Sequence, residues 1–231
     1  MAPRIVHVND LTGPSGPRGP DVDIAVVVDV LRAFTVAPWC LARGASRLLL
    51  APSVEAAAAA GERHPGAVLL KDGEPDPRFA LPNAPGRIAT EDLTGRVVVQ
   101  KTGNGTRGAH ASRGAGEVLC SSFVTAAATT RFLRARPDSE VTFVVTEGDE
   151  DVALADYVIA SLSAPVDPAP YLQRVYASQA GGELRERAPD PAFPGVHEDD
   201  LSLAMEIDRF DRALRCAPFE DLLEVTPVRG D

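Results

Sequence analysis

Val26-Val27-Val28-Asp29-Val30-Leu31-Arg32-Ala33 joins a run of apolar residues to a carboxylate and then to a guanidinium. An apolar run without polar alternation is typical of a strand that is covered on both faces, so helices should flank the sheet to which it belongs. Asp29 would end this strand, and a carboxylate that leaves the core in this way needs a cation or several hydrogen-bond donors. We therefore expect the chemistry of the chain to begin at Asp29.

Two interpretations of Asp29 are open at this point. It forms a structural ion pair with Arg32 across the turn between strand and helix, or it lies in a site, because open α/β sheets bind ligands at the carboxyl ends of their strands. In a site, a metal ion is one of the cations that a buried carboxylate could meet.

Further apolar runs alternate with alanine-rich helical patterns along the chain. This alternation is the signature of the α/β class, and it predicts a three-layer α/β/α fold with a mostly parallel or mixed central sheet. We predict one domain over 1–231, in which 166–195 is an insertion or a loop-rich subdomain. Irregular, proline-rich stretches should form loops at 13–21, 72–86 and 188–197. The patterns predict strands at 4–8, 24–29, 46–50, 67–71, 97–101, 117–121 and 141–146, and helices at 32–43, 53–62, 107–113, 123–136, 150–162 and 200–215.

The composition argues against several classes of partner. The formal net charge is −10, and no basic patch is apparent, so we expect no nucleic-acid partner. No apolar stretch approaches the roughly 18 residues of a membrane span, so we expect no membrane partner. The three cysteines are far apart and lack zinc-site spacing, which fits a reducing cytoplasm. We therefore expect a cytoplasmic protein with a small-molecule partner.

A second buried strand runs into the loop Thr102-Gly103-Asn104-Gly105-Thr106-Arg107. Its glycines let backbone N–H groups approach a ligand, and its polar side chains add amide, hydroxyl and guanidinium donors, which suits an oxyanion. An ordinary glycine turn is the alternative interpretation. The Walker spacing that ends in Lys-Ser/Thr is absent, so nothing in this loop indicates binding of a nucleoside triphosphate. The candidate site residues of this loop are Gly103, Asn104, Gly105, Thr106 and Arg107.

Ser121 and Ser122 follow a third apolar strand. Either they donate to the same anion, or they cap the helix predicted at 123–136. Asn83 and Glu74 lie in the irregular stretch 72–86 and are either turn residues or ligand contacts.

Acidic residues crowd the chain after the strand at 141–146. Most of them suit a solvated helix start, where negative charge is favourable against the helix dipole. Mg²⁺ takes oxygen ligands and usually holds only one or two protein carboxylates together with waters and phosphate oxygens, so not all of these acids can be ligands. Glu147 and Asp156 are the candidates that we single out as site residues.

Taken in chain order, the motifs of this sequence resemble the pattern of the 2-phosphosulfolactate phosphatase (ComB-like) family. The resemblance spans roughly residues 24–210, and its persuasive feature is the order of motifs that are individually unspecific. It implies a three-layer α/β fold, removal of phosphate from a phosphorylated 2-hydroxy acid with Mg²⁺ as cofactor, and a homodimer or larger assembly. The motifs that carry it are Val28-Asp29-Val30-Leu31-Arg32-Ala33, Gly73-Glu74, Asn83-Ala84-Pro85, the loop 102–107, Ser122-Phe123 and Asp200 with Asp208.

The leading hypothesis is therefore a Mg²⁺-dependent phosphatase in which Asp29 holds the metal or attacks phosphorus. Phosphoryl charge would be stabilised by Arg32, Asn104, Thr106 and Arg107. The metal shell would be completed by Asp156, Glu147 and Glu74. The substrate would contact Ser121, Ser122, Gly103, Gly105 and Asn83.

The family pattern is not complete, and a second hypothesis follows from its gaps. The resemblance implies a serine at the position of Ala84 and a glutamate at that of Ala155. The scaffold would then be an anion-binding or regulatory protein with a decayed site, or an enzyme of altered chemistry in specialised metabolism.

Overall fold

The computed structural model of the chain describes residues 2–10, 22–188 and 190–230, with the backbone alone for 6–10. Within these residues ten strands form one mixed sheet, in the order β1-β8-β2-β7-β9-β10-β3-β6-β4-β5. All seven predicted strands are confirmed. The strands are β1 (Arg4–Asp10), β2 (Ile24–Val28), β3 (Arg47–Leu50), β4 (Val68–Lys71), β5 (Leu81–Pro82), β6 (Val97–Lys101), β7 (Glu117–Ser121), β8 (Glu140–Val145), β9 (Ala213–Phe219) and β10 (Leu222–Val228).

Nine helices accompany these strands in the described part of the chain, and five of the six predicted helices are confirmed. The one predicted at 123–136 begins with a 3₁₀ turn over Phe123–Thr125. The helices are α1 (Ala33–Ala42), α2 (Val54–Arg63), α3 (Pro85–Ile88), α4 (Gly105–Ala111), α5 (Ala126–Arg134), α6 (Gly148–Ser163), α7 (Ala169–Ala177), α8 (Gln179–Arg187) and α9 (Asp200–Ala204).

The predicted helix 200–215 is wrong beyond its first turn. Helix α9 ends at Ala204, and Asp208 has a φ of 56°, a left-handed conformation that a helix cannot continue through. The chain then forms the hairpin β9–β10, which pairs with two other strands. Pairing within the sheet therefore overrides the helical pattern of this segment.

The hairpin β9–β10 joins two blocks of parallel strands. Strands β1, β8, β2 and β7 form one block, and β3, β6, β4 and β5 form the other. Because the pairings β7–β9, β9–β10 and β10–β3 are all antiparallel, the two blocks run in opposite directions. The prediction of a mixed sheet is thus confirmed, with its antiparallel part at the C-terminal hairpin.

Helices cover both faces of this sheet, which makes the fold three-layered. Helix α1 is buried at eight successive residues, Ala33 to Cys40, so structure surrounds it on every side. It shares one buried apolar cluster with alternate residues of both strand blocks, such as Val27 of β2 and Val98 of β6, so the two blocks have a common core on this face. Helices α5 and α6 cover the opposite face of the first block, and α2 covers that of the second.

The region 166–195 contains helices α7 and α8, which pack on α6 through Val175 and Leu184. Of the predicted loops, 13–21 lies outside the described residues. The stretch 72–86 is irregular except for β5 and the start of α3, and 190–197 consists of turns. Throughout the described residues, no helix combines the length and the apolarity that crossing a membrane requires.

Candidate active site

Asp29 lies directly after β2, at the point where the strand leaves the core, and is only 7% exposed. Its carboxylate oxygen Oδ1 accepts a hydrogen bond of 2.8 Å from the backbone N–H of Ala33, the first residue of α1. The first N–H groups of a helix lack partners within the helix and carry partial positive charge. The strand end and the helix start therefore hold the carboxylate in one orientation.

Burial raises the pKa of Asp29 from its ordinary value of 3.8 to about 7. The hydrogen bond from Ala33 opposes this rise, and the negative charges of Asp72 and Glu147 add to it. Three carboxylates thus act on one another in a single cleft, and any cation that enters it would relieve their repulsion.

Arg32 does not pair with Asp29. Its Nη1 instead donates to the buried carboxylate of Asp200 and, at 2.9 Å, to the carbonyl of Gly195. The structural ion pair between Asp29 and Arg32 is therefore not formed, and no arginine of the described residues is paired with the Asp29 carboxylate.

Asp200 connects the turn after β2 to two other segments. Besides Arg32, it accepts backbone hydrogen bonds of 3.0 Å from Gly86, near the start of α3, and from His197. Its side chain is fully buried, and all of its partners are donors. Asp200 therefore fixes the guanidinium of Arg32 at the edge of the cleft.

The loop that follows β6 is closed by a reciprocal pair of threonines. The backbone N–H groups of Thr102 and Thr106 each donate to the hydroxyl of the other residue at 3.0 Å, and the Thr106 hydroxyl donates to the Thr102 carbonyl at 2.8 Å. Thr106 thus uses its hydroxyl hydrogen inside the loop. In this geometry it shapes the loop, and direct contact with a phosphoryl group stays a prediction.

The middle of this loop is tied to the acidic residues of the cleft. The Gly103 N–H donates to Asp72 at 2.7 Å, and the Asn104 amide donates to Glu147. Lys101 Nζ lies 3.7 Å from the other carboxylate oxygen of Asp72. The loop therefore positions Asp72 and Glu147, the two carboxylates that raise the pKa of Asp29.

Gly105 approaches Asp29 more closely than any side chain would allow. A Cβ at this position would lie 2.5 Å from Asp29 Oδ2 and 2.7 Å from the Cβ of Ala33. Both distances are below van der Waals contact, so the sequence needs glycine here. The segments that follow β2 and β6 therefore lie against each other at Asp29 and Gly105.

Several predicted substrate contacts are bonded inside the protein. Asn83 Oδ1 accepts from Gln100 at 2.8 Å, the Ser121 hydroxyl lies 3.0 Å from that of Thr129, and the Ser122 hydroxyl donates to the Phe34 carbonyl at 2.9 Å. All three side chains are buried. Ser122 also occupies the N-cap position of the 3₁₀ turn, as the alternative interpretation proposed. These residues support the walls of the site.

The remaining predicted residues lie at different distances from this centre. Asp156 is paired with Arg174 at 2.7 Å on a partly exposed part of α6, more than one turn beyond Glu147. Glu74 is exposed in the loop after β4, and Arg107 is exposed in the first turn of α4. The structure thus brings Asp29, Glu147, Asn104, Gly103 and Gly105 together, with Arg32 at the edge, but does not join Asp156 to them.

Four acidic residues of this region were missed as site residues: Asp72, Glu150, Asp151 and Asp200. Asp151 is buried and accepts from the Val30 N–H at 2.7 Å and from the Glu147 N–H at 3.0 Å, which joins the start of α6 to the segment after β2. Burial and the charge of Asp29 hold its pKa well above the ordinary range. Asp200 could have been identified as a site residue from its place in the family pattern.

The donor set suits a hard cation such as Mg²⁺, although it is not a complete cage. Asp29, Asp72 and Glu147 offer carboxylate oxygens, and burial of Asp29, together with the charges of the other two, raises its pKa. Among the described residues, no three His, Cys, Asp or Glu side chains are close enough to hold a metal alone. Mg²⁺ normally completes its octahedral shell with waters and phosphate oxygens, so an open set of this kind fits Mg²⁺ bound together with a phosphorylated ligand.

A cavity of about 440 Å³ adjoins these residues at Arg32 and Glu147. Its walls are formed by the first turn of α6, by α8 and by Leu31 and Val196. This volume lies within the range of small-molecule sites, and it exceeds what a phosphate ion alone would need.

The fold and the site together define a class: a three-layer α/β protein with a buried carboxylate, a glycine loop and an acidic cleft at the ends of its strands. Comparison with known sequences identifies the family. The family model for 2-phosphosulpholactate phosphatase matches residues 14–171, and the chain belongs to this family.

Curated relatives agree with this assignment. The chain is 38% identical over 145 residues to a protein of Deinococcus radiodurans and 36% identical over 143 residues to one of Thermus thermophilus, each match covering 62% of this chain and 60% of the relative. It is 30% identical over 192 residues to a protein of Thermoplasma acidophilum, covering 80% of this chain and 82% of the relative. Each relative is named "Probable 2-phosphosulfolactate phosphatase". The chain thus spans about three fifths of the length of the first two.

Replacement of Gly105 tests the close approach of the loop to Asp29. Gly105→Ala should lower the free energy of unfolding by about 1–3 kcal/mol, because the new Cβ overlaps the carboxylate and Ala33. Gly103→Ala is the matched control, since its Cβ would lie 3.5 Å from the nearest atom, Asp72 Oδ2, an ordinary contact. We expect a change within about 0.5 kcal/mol for the control. Urea unfolding measures both, and equal losses would contradict the geometry.

The raised pKa of Asp29 predicts a pH-dependent cost to stability. A group whose pKa is raised on folding makes its full contribution to folding stability below its unfolded pKa, here 3.8. This contribution is lost as the pH rises through the folded pKa of about 7. Asp29→Asn keeps the acceptor for Ala33 but cannot ionise. In metal-free buffer at pH 8 the variant should be more stable than the wild type by roughly 2–4 kcal/mol. The difference should vanish near pH 4, and a difference that does not change with pH would refute this account.

Proposed function

We propose that the protein is a phosphatase that removes phosphate from a small phosphorylated 2-hydroxy acid, such as 2-phosphosulfolactate, with Mg²⁺ as its cofactor. The observation that carries the proposal is the buried carboxylate of Asp29 at a strand end, held by the start of α1 and facing Asp72 and Glu147. The names of the relatives support the substrate class.

In this proposal one or two of the carboxylates of Asp29, Asp72 and Glu147 would hold Mg²⁺ together with waters and phosphate oxygens, and the ion would supply positive charge to the phosphoryl oxygens. The other expectation was that Asp29 attacks phosphorus. Its carboxylate accepts a hydrogen bond from Ala33 and lies close to Gly105, and a carboxylate held in this way suits the role of a metal ligand. The carboxylates of Asp72 and Glu147 are oriented by the donors of the loop 102–106. The protein thus supplies positioning, on which phosphoryl transfer mainly depends.

Arg32 would contact the substrate from the edge of the cavity. Both of its described hydrogen bonds come from Nη1, and a guanidinium has five N–H donors, so others are left for an anionic group. Because Asp200 orients the guanidinium, little side-chain entropy is lost when a ligand binds. Arg107 and Glu74, which are exposed beyond the loops, stay predictions for contacts that form when substrate enters.

The alternative of a decayed site is not favoured by the two alanines that suggested it. Ala155 is fully buried among the apolar residues that α6 packs against the sheet, so a glutamate there would point into the core. Ala84 is buried at the start of α3 and accepts hydrogen bonds from Arg87 and Ile88. Meanwhile the same helix α6 carries two buried acids near the cleft, Glu150 and Asp151.

A cytoplasmic location and a homodimer or larger assembly complete the proposal. Three free, buried cysteines, Cys40, Cys120 and Cys216, support a reducing compartment. The oligomeric state is carried over from the family resemblance.

Phosphate release tests the proposal directly. We expect inorganic phosphate from 2-phosphosulfolactate or 2-phospholactate in the presence of Mg²⁺ and none after EDTA treatment. Asp29→Asn should lower kcat/KM by about 100-fold or more, whereas Asp156→Asn should stay within about threefold, because Asp156 is paired with Arg174 outside the cleft.

Two outcomes would contradict the proposal. Full activity of Asp29→Asn would remove Asp29 from the reaction. A folded wild type that is stabilised by phosphate but releases none from either substrate would instead favour the anion-binding scaffold.

A further inference from the structure

Glu150 is a buried acid that no hydrogen bond fully satisfies. Its side chain is 2% exposed, and its carboxylate oxygen Oε2 has no hydrogen-bond partner among the described residues. Buried polar atoms nearly always have a partner, and those without one often mark a place where a ligand or water binds. Because this oxygen has no partner within the described residues, it is available to a hydrogen-bonding group that arrives from outside.

The backbone at the start of α6 determines where this carboxyl group lies. Gly148 has a φ of +52°, and a Cβ at this position would lie 2.4 Å from Glu150 Oε2 and 2.5 Å from Oε1. The Glu150 side chain therefore folds back over the first turn of the helix, into the space that the absent side chain leaves open. Gly148 and Glu150 both line the cavity that adjoins Arg32 and Glu147.

Among the acids that line this cavity, Glu150 differs from its neighbours. Glu147 is bonded to Asn104, Asp149 is paired with Arg174, and Glu183 is paired with Arg187 at 3.0 Å. Each of these three acids is also more exposed than Glu150. A ligand in the cavity would thus meet in Glu150 an acid with an oxygen that needs a partner.

The surroundings of Glu150 favour its protonated form. Burial raises the pKa of the carboxyl group, its own backbone N–H and the Ser178 hydroxyl oppose the rise, and the charges of Glu147 and Asp149 add to it. The charge of Glu147 adds to the effect of burial on the pKa of both Glu150 and Asp29, so Glu150 and the cleft around Asp29 are neighbours.

We propose that Glu150 is a catalytic residue, the general acid that hydrogen-bonds the ester oxygen of the substrate and protonates the departing alcohol. This inference rests on the proposed phosphatase function. As the bond between phosphorus and the ester oxygen breaks, the proton of Glu150 moves to that oxygen and yields the 2-hydroxy acid. The oxygen of a water molecule forms the new bond to phosphorus, inorganic phosphate leaves, and a proton of that water restores Glu150. An alkoxide is a strong base, so the departing group needs this proton.

A leaving-group comparison tests this role. The substrates are 2-phospholactate and 3,3,3-trifluoro-2-phospholactate, which have the same charge and nearly the same shape, while fluorine makes the departing alkoxide far less basic. Glu150→Gln should lower kcat about 100-fold or more on the first substrate and about tenfold or less on the second. Glu186→Gln, an exposed residue of α8 that does not line the cavity, makes the same charge change and should leave both rates within about threefold.

A second variant keeps the acid but displaces it. Gly148→Ala places a Cβ on the Glu150 carboxyl group and should show the same dependence on the leaving group, provided that urea unfolding shows it folded. An equal loss on both substrates, or no loss, in Glu150→Gln would overturn the general-acid role while leaving the phosphatase intact. A wild type that releases phosphate from neither substrate would overturn the proposed function itself, and the role of Glu150 with it.

Discussion

The hydrogen bond from the Ala33 N–H to the Asp29 carboxylate holds a negative charge at a place where burial opposes it. The carboxylate lies directly after a strand whose five residues are all buried, and it accepts a hydrogen bond from the first residue of a helix that is surrounded on every side. The loop after β6 can approach it only through Gly105. Burial raises the pKa of Asp29 to about 7, so this carboxyl group can gain or lose its proton near neutral pH. The rest of the site is arranged around this one group.

The fold brings distant segments to Asp29 through its mixed sheet. The C-terminal hairpin connects two blocks of strands that run in opposite directions, and α1 shares one buried apolar cluster with both of them. The segments that follow β2 and β6 therefore meet although the strands belong to different blocks. Asp200 adds a second connection, because it binds Arg32 together with the backbone of Gly86 and His197. The cleft is thus fixed by hydrogen bonds between segments that are far apart in the chain.

Much of this arrangement could be predicted from local patterns, and the failures have physical causes. The apolar runs before Asp29 and before the loop 102–107 predicted the two strands, because buried strands need no distant information to be recognised. The hairpin β9–β10 was missed because Pro218 and Pro227 interrupt its strand pattern and only pairing with β7 and β3 overrides the helical signal. The two strand directions follow from that pairing as well.

The sequence also did not show which acids at the start of α6 are buried near the cleft. A cluster of Asp and Glu at a helix start is indistinguishable in sequence from a solvated cap. Glu150 and Asp151 are buried because the segment after β2 and the helices α7 and α8 pack around them, whereas Asp156 faces Arg174 on α7. Which face of a helix meets the cleft is decided by packing, which the spacing of acids in one helix does not reveal.

A buried carboxylate with no cationic partner among the described residues organises the site, and carbon NMR titration of the Asp29 side chain tests whether this is so. The protein is labelled with ¹³C at the aspartate carboxyl carbons, and Asp29→Asn identifies the resonance. In metal-free buffer we expect a midpoint of about 7, and binding of the proposed Mg²⁺ should shift it downward. A midpoint near or below the ordinary aspartate value in metal-free buffer would contradict the account, because a neutralising partner would then already be present in the protein.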